Sequence, residues 1–375
     1  MRSKLTGILL LLFGPDAAAQ ATWVVDRTPI LDVPGVSTTG TLIFGYAAGG
    51  MRLADGGLLI ADRAENSIRV LDATGKLVRS VGRTGDGPGE FQSMLWAGQC
   101  GSDSLLVWDL RRRQATMIGS SGTPSRQFSV PAGDTAQVPF QFSCSPHGTI
   151  AYRSAPRPMR GAMPNPQNPN IVSVTAAVYR IGPGGTITQR LGDIPAGEVV
   201  AMVSPSGGRG AAPRPLGRTA SIAALDDAVV ISSADSAFVI VQQAGGQTSH
   251  HRLPIVLRAP TRTEFDEAVR ATASMGPASM RQAMAQQLAA IPLPDRLPAI
   301  SALFVDSEGL VWIQTTPPGA KALDFLVMRG DGRVVARAQV PLGITLFEIG
   351  RDYLMGSYAD AADEMHVAMY RLRRQ

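Results

Sequence analysis

A short unit recurs along this chain and constrains its fold more than any other feature. Each copy has a turn, four mostly apolar residues and then one polar or charged residue, as at 57–62 and 104–109. Turn-forming pairs precede most copies, for example Asp55-Gly56 and Glu308-Gly309. The terminal polar positions of the copies are Asp62, Asp109, Arg153, Ser233, Gln314 and Ser357.

Further strand-like segments surround most copies. The first copy is followed by 68–72, a Gly-containing turn and 77–81, and another strand leads into the turn before a copy, as at 222–225. Each unit therefore contains four strands. Four-stranded units repeated at roughly 40 to 50 residues are typical of β-propellers. The pattern predicts an all-β chain folded as a six-bladed β-propeller, with a β-sandwich carrying irregular insertions as the alternative.

Two intervals between units hold extra sequence. The terminal polar positions are 47, 44, 80, 81 and 43 residues apart. The surplus is irregular or helical in pattern, which favours insertions over additional blades. The larger one, at about 259–298 between the fourth and fifth units, predicts two helices, the first capped by Thr263 with Asp266 at its third position.

The apolar residues of these helices recur at helical spacing. They are Phe265, Val269 and Ala273 in the first helix and Met280, Met284 and Leu288 in the second. A methionine stripe of this kind favours packing against the body beneath, and a Met-lined lid over a ligand is the alternative.

The two ends of the mature chain are expected to pair with each other. The last unit ends after its third strand, at 364–372, and the strand-like segment 22–33 belongs to no unit. Adding that segment to the last sheet would close the ring and cover an open sheet edge.

Three segments of the first unit, at 53–62, 68–72 and 81–91, resemble an NHL-type repeat, and the last reads Val-Gly-Arg-Thr-Gly-Asp-Gly-Pro-Gly-Glu-Phe. The chain thereby resembles the secreted six-bladed β-propellers of bacteria with NHL-type repeats. In the other units only the strand pattern remains. Relatives of this architecture include binding proteins, lyases and metal-dependent lactonases, so the resemblance implies a fold rather than one activity.

The unusual loops are expected on one face of the propeller. In such a meander the links from second to third strand share a face with the links from one unit to the next. The elaborated links at 82–90, 155–170, 204–218 and 316–320 fall on or beside that side, whereas the opposite links are tight turns. Long loops on one side of a rigid scaffold are where binding usually resides.

The six terminal polar residues would form a polar ring bordering the long-loop face. Their mixture of both charges and neutral donors suits a polar organic ligand, although polar residues end strands everywhere as turn chemistry. A weaker alternative makes Asp62, Asn66 and Asp109 ligands of a metal ion.

Catalytic motifs are absent from the sequence. It contains no H-E-x-x-H, G-x-S-x-G, C-x-x-C or EF-hand pattern. The four histidines, His147, His250, His251 and His366, stand opposite no obvious serine or carboxylate and are expected to be structural.

Cys100 and Cys144 each lie nine residues before a terminal polar position. They are therefore expected at matching heights in adjacent units, where they could form a disulfide if the inner strands are close enough.

The first 21 residues have the parts of an export signal. Arg2 and Lys4 precede a short apolar stretch, which a small-residue segment ending at Ala21 follows. The predicted organisation is a signal peptide at 1–21 and a propeller at 22–375, with the mature chain in the periplasm or outside the cell. No later apolar run approaches the roughly 20 residues of a membrane span, so no transmembrane segment is expected.

The charge pattern limits the classes of partner molecule that are expected. Of 35 basic residues only 3 are lysines, the other 32 are arginines that are mostly scattered, and the net charge is +5. No basic stripe interleaves with stacking aromatics, so no nucleic-acid partner is expected. The expected partner is therefore a polar small molecule, a glycan, a peptide or an envelope protein.

The leading prediction is a binding protein without catalysis or cofactor that uses its long-loop face. A metal-dependent lyase or lactone hydrolase of the gluconolactonase-like propeller type, holding a divalent cation, is one alternative. A structural interaction module for an envelope protein is the other.

Overall fold

The chain begins, in the part that the structure describes, with a long strand, β1 (Ala21–Pro34). The computed structural model describes residues 21–37, 39–158, 170–204, 207–232, 236–315 and 317–374. The predicted export signal before Ala21 and the predicted ring residue Ser233 lie outside these ranges.

Two four-stranded antiparallel sheets follow β1, and each is built from consecutive strands in chain order. Every residue of the second strand in both sheets is buried, because neighbouring sheets cover both of its faces. These second strands are the apolar segments of the sequence repeat. The strands are β2 (Ala47–Arg52), β3 (Leu58–Asp62), β4 (Ser67–Leu71), β5 (Leu77–Val81), β6 (Met94–Gln99), β7 (Leu105–Asp109), β8 (Gln114–Ile118) and β9 (Pro124–Ser129).

The third sheet is larger than the sequence predicts. Its strands are β10 (Pro139–Cys144), β11 (Ile150–Ser154), β12 (Arg157–Pro158), β13 (Ile171–Ile181), β14 (Ile187–Val203) and β15 (Arg209–Pro213), and β12 pairs beside the main order with β13. The surplus here was expected to be irregular, but β13 and β14 form a long hairpin, and β15 lies inside the expected loop at 204–218. Arg-Gly-Ala-Ala-Pro has low strand propensity, so β15 depends on its pairing with β14 rather than on its own sequence.

A fourth four-stranded sheet precedes two helices, and a 3-10 turn at Ala278–Met280 leads into the second of these. The elements are β16 (Ser221–Ala224), β17 (Ala228–Ser232), β18 (Phe238–Gln243), β19 (Thr248–Arg252), α1 (Arg262–Ser274) and α2 (Arg281–Ala289). The cap predicted at Thr263 is wrong. Thr261 caps α1 in a capping box with Glu264, because this Thr-x-x-Glu pair satisfies both backbone N–H groups.

The helices pack on the extended hairpin of the third sheet. Phe265 and Val269 of α1 and Leu288 of α2 share one apolar cluster with Val200 and Met202 of β14. Met284 is half-buried against the same cluster. Met284 and Leu288 of the predicted stripe therefore pack on the body, as the sequence favours, whereas Met280 lies outside this cluster.

The remaining strands join β1 in an eight-stranded sheet. They are β20 (Ala302–Val305), β21 (Val311–Gln314), β22 (Ala322–Met328), β23 (Val334–Pro341), β24 (Thr345–Ile349), β25 (Tyr353–Ala359) and β26 (Met365–Arg373). The strand order is β20-β21-β22-β23-β1-β26-β25-β24. As the sequence predicts, β1 pairs antiparallel with β26, from Val24 opposite Arg373 to Pro34 opposite His366. It also pairs in parallel with β23 over its first four residues, which the sequence does not predict.

The first strands of the successive four-stranded sets face one another across the middle of the molecule. β2 contacts β6, β6 contacts β10, β10 contacts β16, and β16 contacts β20. β24 in turn contacts β2. The backbone N–H of Ser307, which follows β20, donates to the Ile349 carbonyl of β24 at 2.9 Å and completes the circuit. At Gly49 a Cβ atom would lie 2.0 Å from the Ala97 carbonyl oxygen, so β2 and β6 approach as closely as glycine allows.

The apolar core is divided among clusters that lie between successive sheets. Leu59 of β3 and Leu105 of β7 share one cluster, which joins the first two sheets. Leu58 shares another with Val33 of β1 and Met355 of β25, so the first sheet also packs against the last strands of the chain.

Candidate functional site

A cavity of about 770 Å³ lies among the first strands. Its walls come from β2, β6, β10, β20 and β24, and from the turns at 101–103, 145–147 and 306–307. These turns join first strands to second strands, so the cavity extends toward the face of tight turns rather than the predicted long-loop face. The aromatic walls are Trp96, Phe142, Phe304 and Phe347, and the uncharged polar ones include Gln99, Gln141, Ser143 and Thr345.

One wall of the cavity carries a buried carboxyl group, Glu348. The residue is 5% exposed, and desolvation by burial raises its pKa to about 7. Its Oε2 accepts a hydrogen bond from the Arg52 backbone N–H at 2.6 Å, and the Tyr353 hydroxyl bonds its other oxygen. Glu348 therefore ties β24 to β2 and can exchange a proton near neutral pH. No local sequence pattern points to Glu348, because its burial comes from the contact between distant strands.

A second cavity carboxylate, Asp306, is fully engaged. It accepts from the Trp312 indole N–H at 3.0 Å and pairs with Arg374 at 2.9 Å. Burial raises its pKa, while these donors act in the opposite direction. Asp306 holds the turn after β20 rather than presenting a free oxygen.

The predicted ring residue Asp62 is completely buried. Its carboxylate accepts from the backbone N–H groups of Gly45, Tyr46 and Ala64 and pairs with Arg69 at 2.9 Å. These bonds hold the loop that enters β2 and the turn that leaves β3.

Asp109 holds the equivalent loop and turn in the next sheet. It accepts from the backbone N–H groups of Gln92 and Ser93, before β6, and of Arg112, after β7. Asn66, the third residue of the predicted metal set, donates to Thr84 Oγ1 at 3.1 Å. Polar atoms of all three side chains are thus engaged within the protein.

Arg153 differs from these two aspartates. It is 3% exposed, and its Nε donates to Gln141 Oε1 at 3.2 Å, while Nη1 has no hydrogen-bond partner. Desolvation by burial lowers the pKa of its guanidinium to about 10, which leaves it charged at neutral pH.

The other predicted ring residues lie near strand ends. Gln314 is half-buried at the end of β21, and Ser357 is buried within β25. In the described part of the chain, no hydrogen bond joins Asp62, Asp109, Arg153 or Ser357 to another of these four. The ring remains a prediction as a ligand site.

The histidines have local partners. His147, at the cavity wall, lies 2.5 Å from Asp226, and His251 is 2.8 Å from the Ser249 hydroxyl. The His250 ring lies against Phe238, and the His366 ring stacks on Tyr358.

His366 also belongs to a group that could hold a metal ion. The candidate ligand atoms of Asp360, Glu364 and His366 lie within 4.8 Å of one another, and His366 Nδ1 is 3.0 Å from Asp32. A carboxylate at one imidazole nitrogen orients the other, as in many metal sites. Asp360 and Glu364 also accept backbone hydrogen bonds that hold their turn and the segment after β1. This group is not among the sequence predictions, although its close spacing across one tight turn was a usable signal.

A disulfide joins the first strands of two neighbouring sheets. Cys100 follows β6 and Cys144 ends β10, and their Cα atoms are 5.0 Å apart, within the usual range for a bridge. Cys144 lines the cavity, so the bridge fixes part of its wall.

No protein-family model matches the sequence, and no curated protein matches it. Among solved structures, a member of the DUF4221 family from Bacteroides vulgatus has a TM-score of 0.48 at 9% identity, covering 95% of this chain and 100% of its own. A protein from Bacteroides fragilis has a TM-score of 0.47 at 10% identity, with 95% and 99% covered. Virginiamycin B lyase from Staphylococcus aureus has a TM-score of 0.40 at 11% identity, with 93% and 99% covered.

In the described residues, no helix is both long enough and apolar enough to pass through a membrane.

Proposed function

We propose that this chain is an exported six-bladed β-propeller that binds a small organic ligand in its central cavity without transforming it. The observation that carries the proposal is the lining of the cavity. Aromatic rings stand beside amide and hydroxyl groups, which is the usual composition of a site for an organic ligand. Its volume of about 770 Å³ is within the range of small-molecule sites.

The circuit of first strands supports the six-blade arrangement. The eight-stranded sheet divides between β23 and β1 into two sets of four strands. Each of the other four sheets supplies one further set, which makes six sets. Apolar clusters lie between successive sets, including the cluster that joins β1 and β25 to β3. A wheel of four-stranded sheets accounts for both observations.

The predicted signal at 1–21 and the Cys100–Cys144 bridge support export, because disulfides persist in oxidising compartments. The periplasm or the exterior is therefore the proposed location.

The occupied carboxylates favour binding over metal-dependent catalysis at the predicted ring. Asp62 and Asp109 accept several backbone hydrogen bonds each and stabilise loops. A metal-dependent lyase or lactone hydrolase would need to break those bonds before these oxygens could act as ligands. That alternative has the weaker geometric support.

The test is a thermal-shift screen of sugars, peptides and divalent cations against the mature chain. A ligand that binds only the folded state raises the melting temperature. At a hundred times its Kd, such a ligand adds about 2.7 kcal/mol to the free energy of unfolding. Gln99→Trp fills the cavity, and Gln247→Trp adds the same side chain to an exposed turn between β18 and β19.

We expect compounds that stabilise the wild type and the Gln247→Trp variant but not the Gln99→Trp variant. Equal stabilisation of all three would place the ligand elsewhere. Product formation in the presence of a stoichiometric metal would favour the enzyme alternative, and capture of an envelope protein with no small-molecule response would favour the interaction module.

A further inference from the structure

We infer that Arg153 binds an oxyanion, a carboxylate or a phosphate group, of the ligand that occupies the neighbouring cavity. The inference rests on the proposed function and names the chemical class of its ligand. Its starting point is a buried cationic group without a counter-ion.

The charge of Arg153 is uncompensated in the described part of the chain. Its Nε donates a hydrogen bond to the neutral amide oxygen of Gln141, and the terminal nitrogen Nη1 bonds nothing. An unpaired charge in a protein interior is costly, because the solvation it loses is not replaced.

Among the described residues, the other two buried arginines, Arg69 and Arg214, are compensated, and so is half-buried Arg374. The terminal guanidinium nitrogens of Arg69, Arg214 and Arg374 pair with carboxylates at 2.9, 2.7 and 2.9 Å. In these three the fold supplies the anion, and half-buried Arg180, whose Nε and Nη2 bond nothing, has the carboxylate of Asp227 nearby. No carboxylate of the described residues pairs with Arg153, so we assign its anion to a ligand.

Arg153 lies beside the cavity through Gln141. The two residues are paired across β11 and β10, and Gln141 lines the cavity. Gln141 Nε2 donates to Ser221 Oγ at 2.9 Å, which fixes its amide with the oxygen toward Arg153. The guanidinium is thus held next to the cavity wall.

A partly exposed side chain covers Arg153. The Phe140 ring lies over the guanidinium at 5.4 Å and is 49% exposed, so few contacts hold it in place. Rotation of this ring would open a route to Nη1. A guanidinium presents parallel N–H donors that match carboxylate and phosphate oxygens, and the charge of such an anion would neutralise it.

The experiment compares Arg153→Met with Arg214→Met, in which a buried arginine loses a carboxylate partner. Sodium phosphate and sodium succinate are the probes, titrated against sodium chloride at matched ionic strength. Melting temperature and calorimetric binding are measured for the wild type and both variants.

Without a probe, we expect Arg153→Met to melt at or above the wild-type temperature, since it removes an unpaired buried charge. Arg214→Met should melt lower, because it leaves Glu198 unpaired. With a probe, the wild type should show a saturable rise that Arg214→Met keeps and Arg153→Met loses, with at least tenfold weaker binding. The probe that binds distinguishes a carboxylate ligand from a phosphate ligand.

Two results would overturn the inference. One is an Arg153→Met variant that melts well below the wild type, which would make Arg153 a structural residue. The other is a wild type that binds neither probe, or binds one equally well with Met at position 153. If uncharged compounds still bind and Gln99→Trp blocks that binding, the proposed function stands. Only the inference that Arg153 binds an anion is then wrong.

Discussion

At the scale of single residues, the buried carboxyl groups of Asp109 and Glu348 differ in the number of hydrogen-bond donors around them. Asp109 accepts hydrogen bonds from three backbone N–H groups, which hold the loop before β6 and the turn after β7. Glu348 receives one backbone N–H and one hydroxyl, and burial dominates its pKa. A buried carboxyl group therefore holds loops at Asp109, whereas at Glu348 it can exchange a proton near neutral pH.

Asp109→Asn should destabilise the protein by about 2 to 3 kcal/mol, since an amide oxygen replaces a carboxylate that accepts several charge-assisted bonds. Urea unfolding measures the loss. Asp103→Asn, at an exposed turn residue, is the control and should stay within about 0.5 kcal/mol of the wild type. Equal midpoints for the two variants would contradict the structural role of Asp109.

Glu348 predicts a pH dependence of stability. Its pKa is raised from 4.5 to about 7 in the folded protein, so the folded state binds more protons than the unfolded state between these values. The contribution to stability is complete below about pH 4.5 and is lost as the pH rises through 7, a change of about 3 kcal/mol.

Glu348→Gln should flatten this profile. Urea unfolding at pH 5 and pH 8 should show a smaller fall in the variant than in the wild type, by about 3 kcal/mol. Parallel profiles would show that Glu348 does not titrate in this range.

At the scale of elements, contacts between the first strands position the cavity wall. The Cys100–Cys144 bridge joins two of these strands across 44 residues of sequence. Hydrogen bonds from Gln141 and Leu303 to the Ser221 hydroxyl join β10, β16 and β20. The wall is thus covalently fixed on one side and held by a shared hydroxyl on another.

Replacing both cysteines with serine should cost about 3 to 4 kcal/mol, as expected for a closed loop of this length. Chemical denaturation of the wild type with and without reductant should show the same difference, while the double variant should not respond to reductant. A reductant-insensitive wild type would mean that the bridge is not formed in solution.

How far the sequence predicts these elements depends on whether the signal is local. The buried second strands are continuous apolar runs, so segments such as β3 and β7 can be read directly. β15 cannot, because its Gly-Ala-Ala core becomes a strand only beside β14. The α1 cap was misplaced by two residues because both Thr261 and Thr263 are plausible caps, and the reciprocal bond from Glu264 decides between them.

At the scale of the whole molecule, the sequence predicted the closure but not the cavity. An unmatched strand at each end of the repeat series predicts that β1 pairs with β26. Glu348 and the unpaired Arg153 acquire their character from burial between strands distant in sequence, which no local pattern encodes. The predicted ring at the strand ends included Arg153 but mixed it with the loop-holding residues Asp62 and Asp109.

β1 joins the two halves of the eight-stranded sheet by pairing with β26 and β23, and the proposed six-bladed arrangement depends on that pairing. Hydrogen exchange followed by mass spectrometry on the mature chain tests it most directly. Amides in peptides from β1 should exchange as slowly as those from β26, because the two strands pair from Val24 to Pro34. Complete exchange of the β1 peptides within seconds at neutral pH, with β23 and β25 still protected, would contradict the closed arrangement.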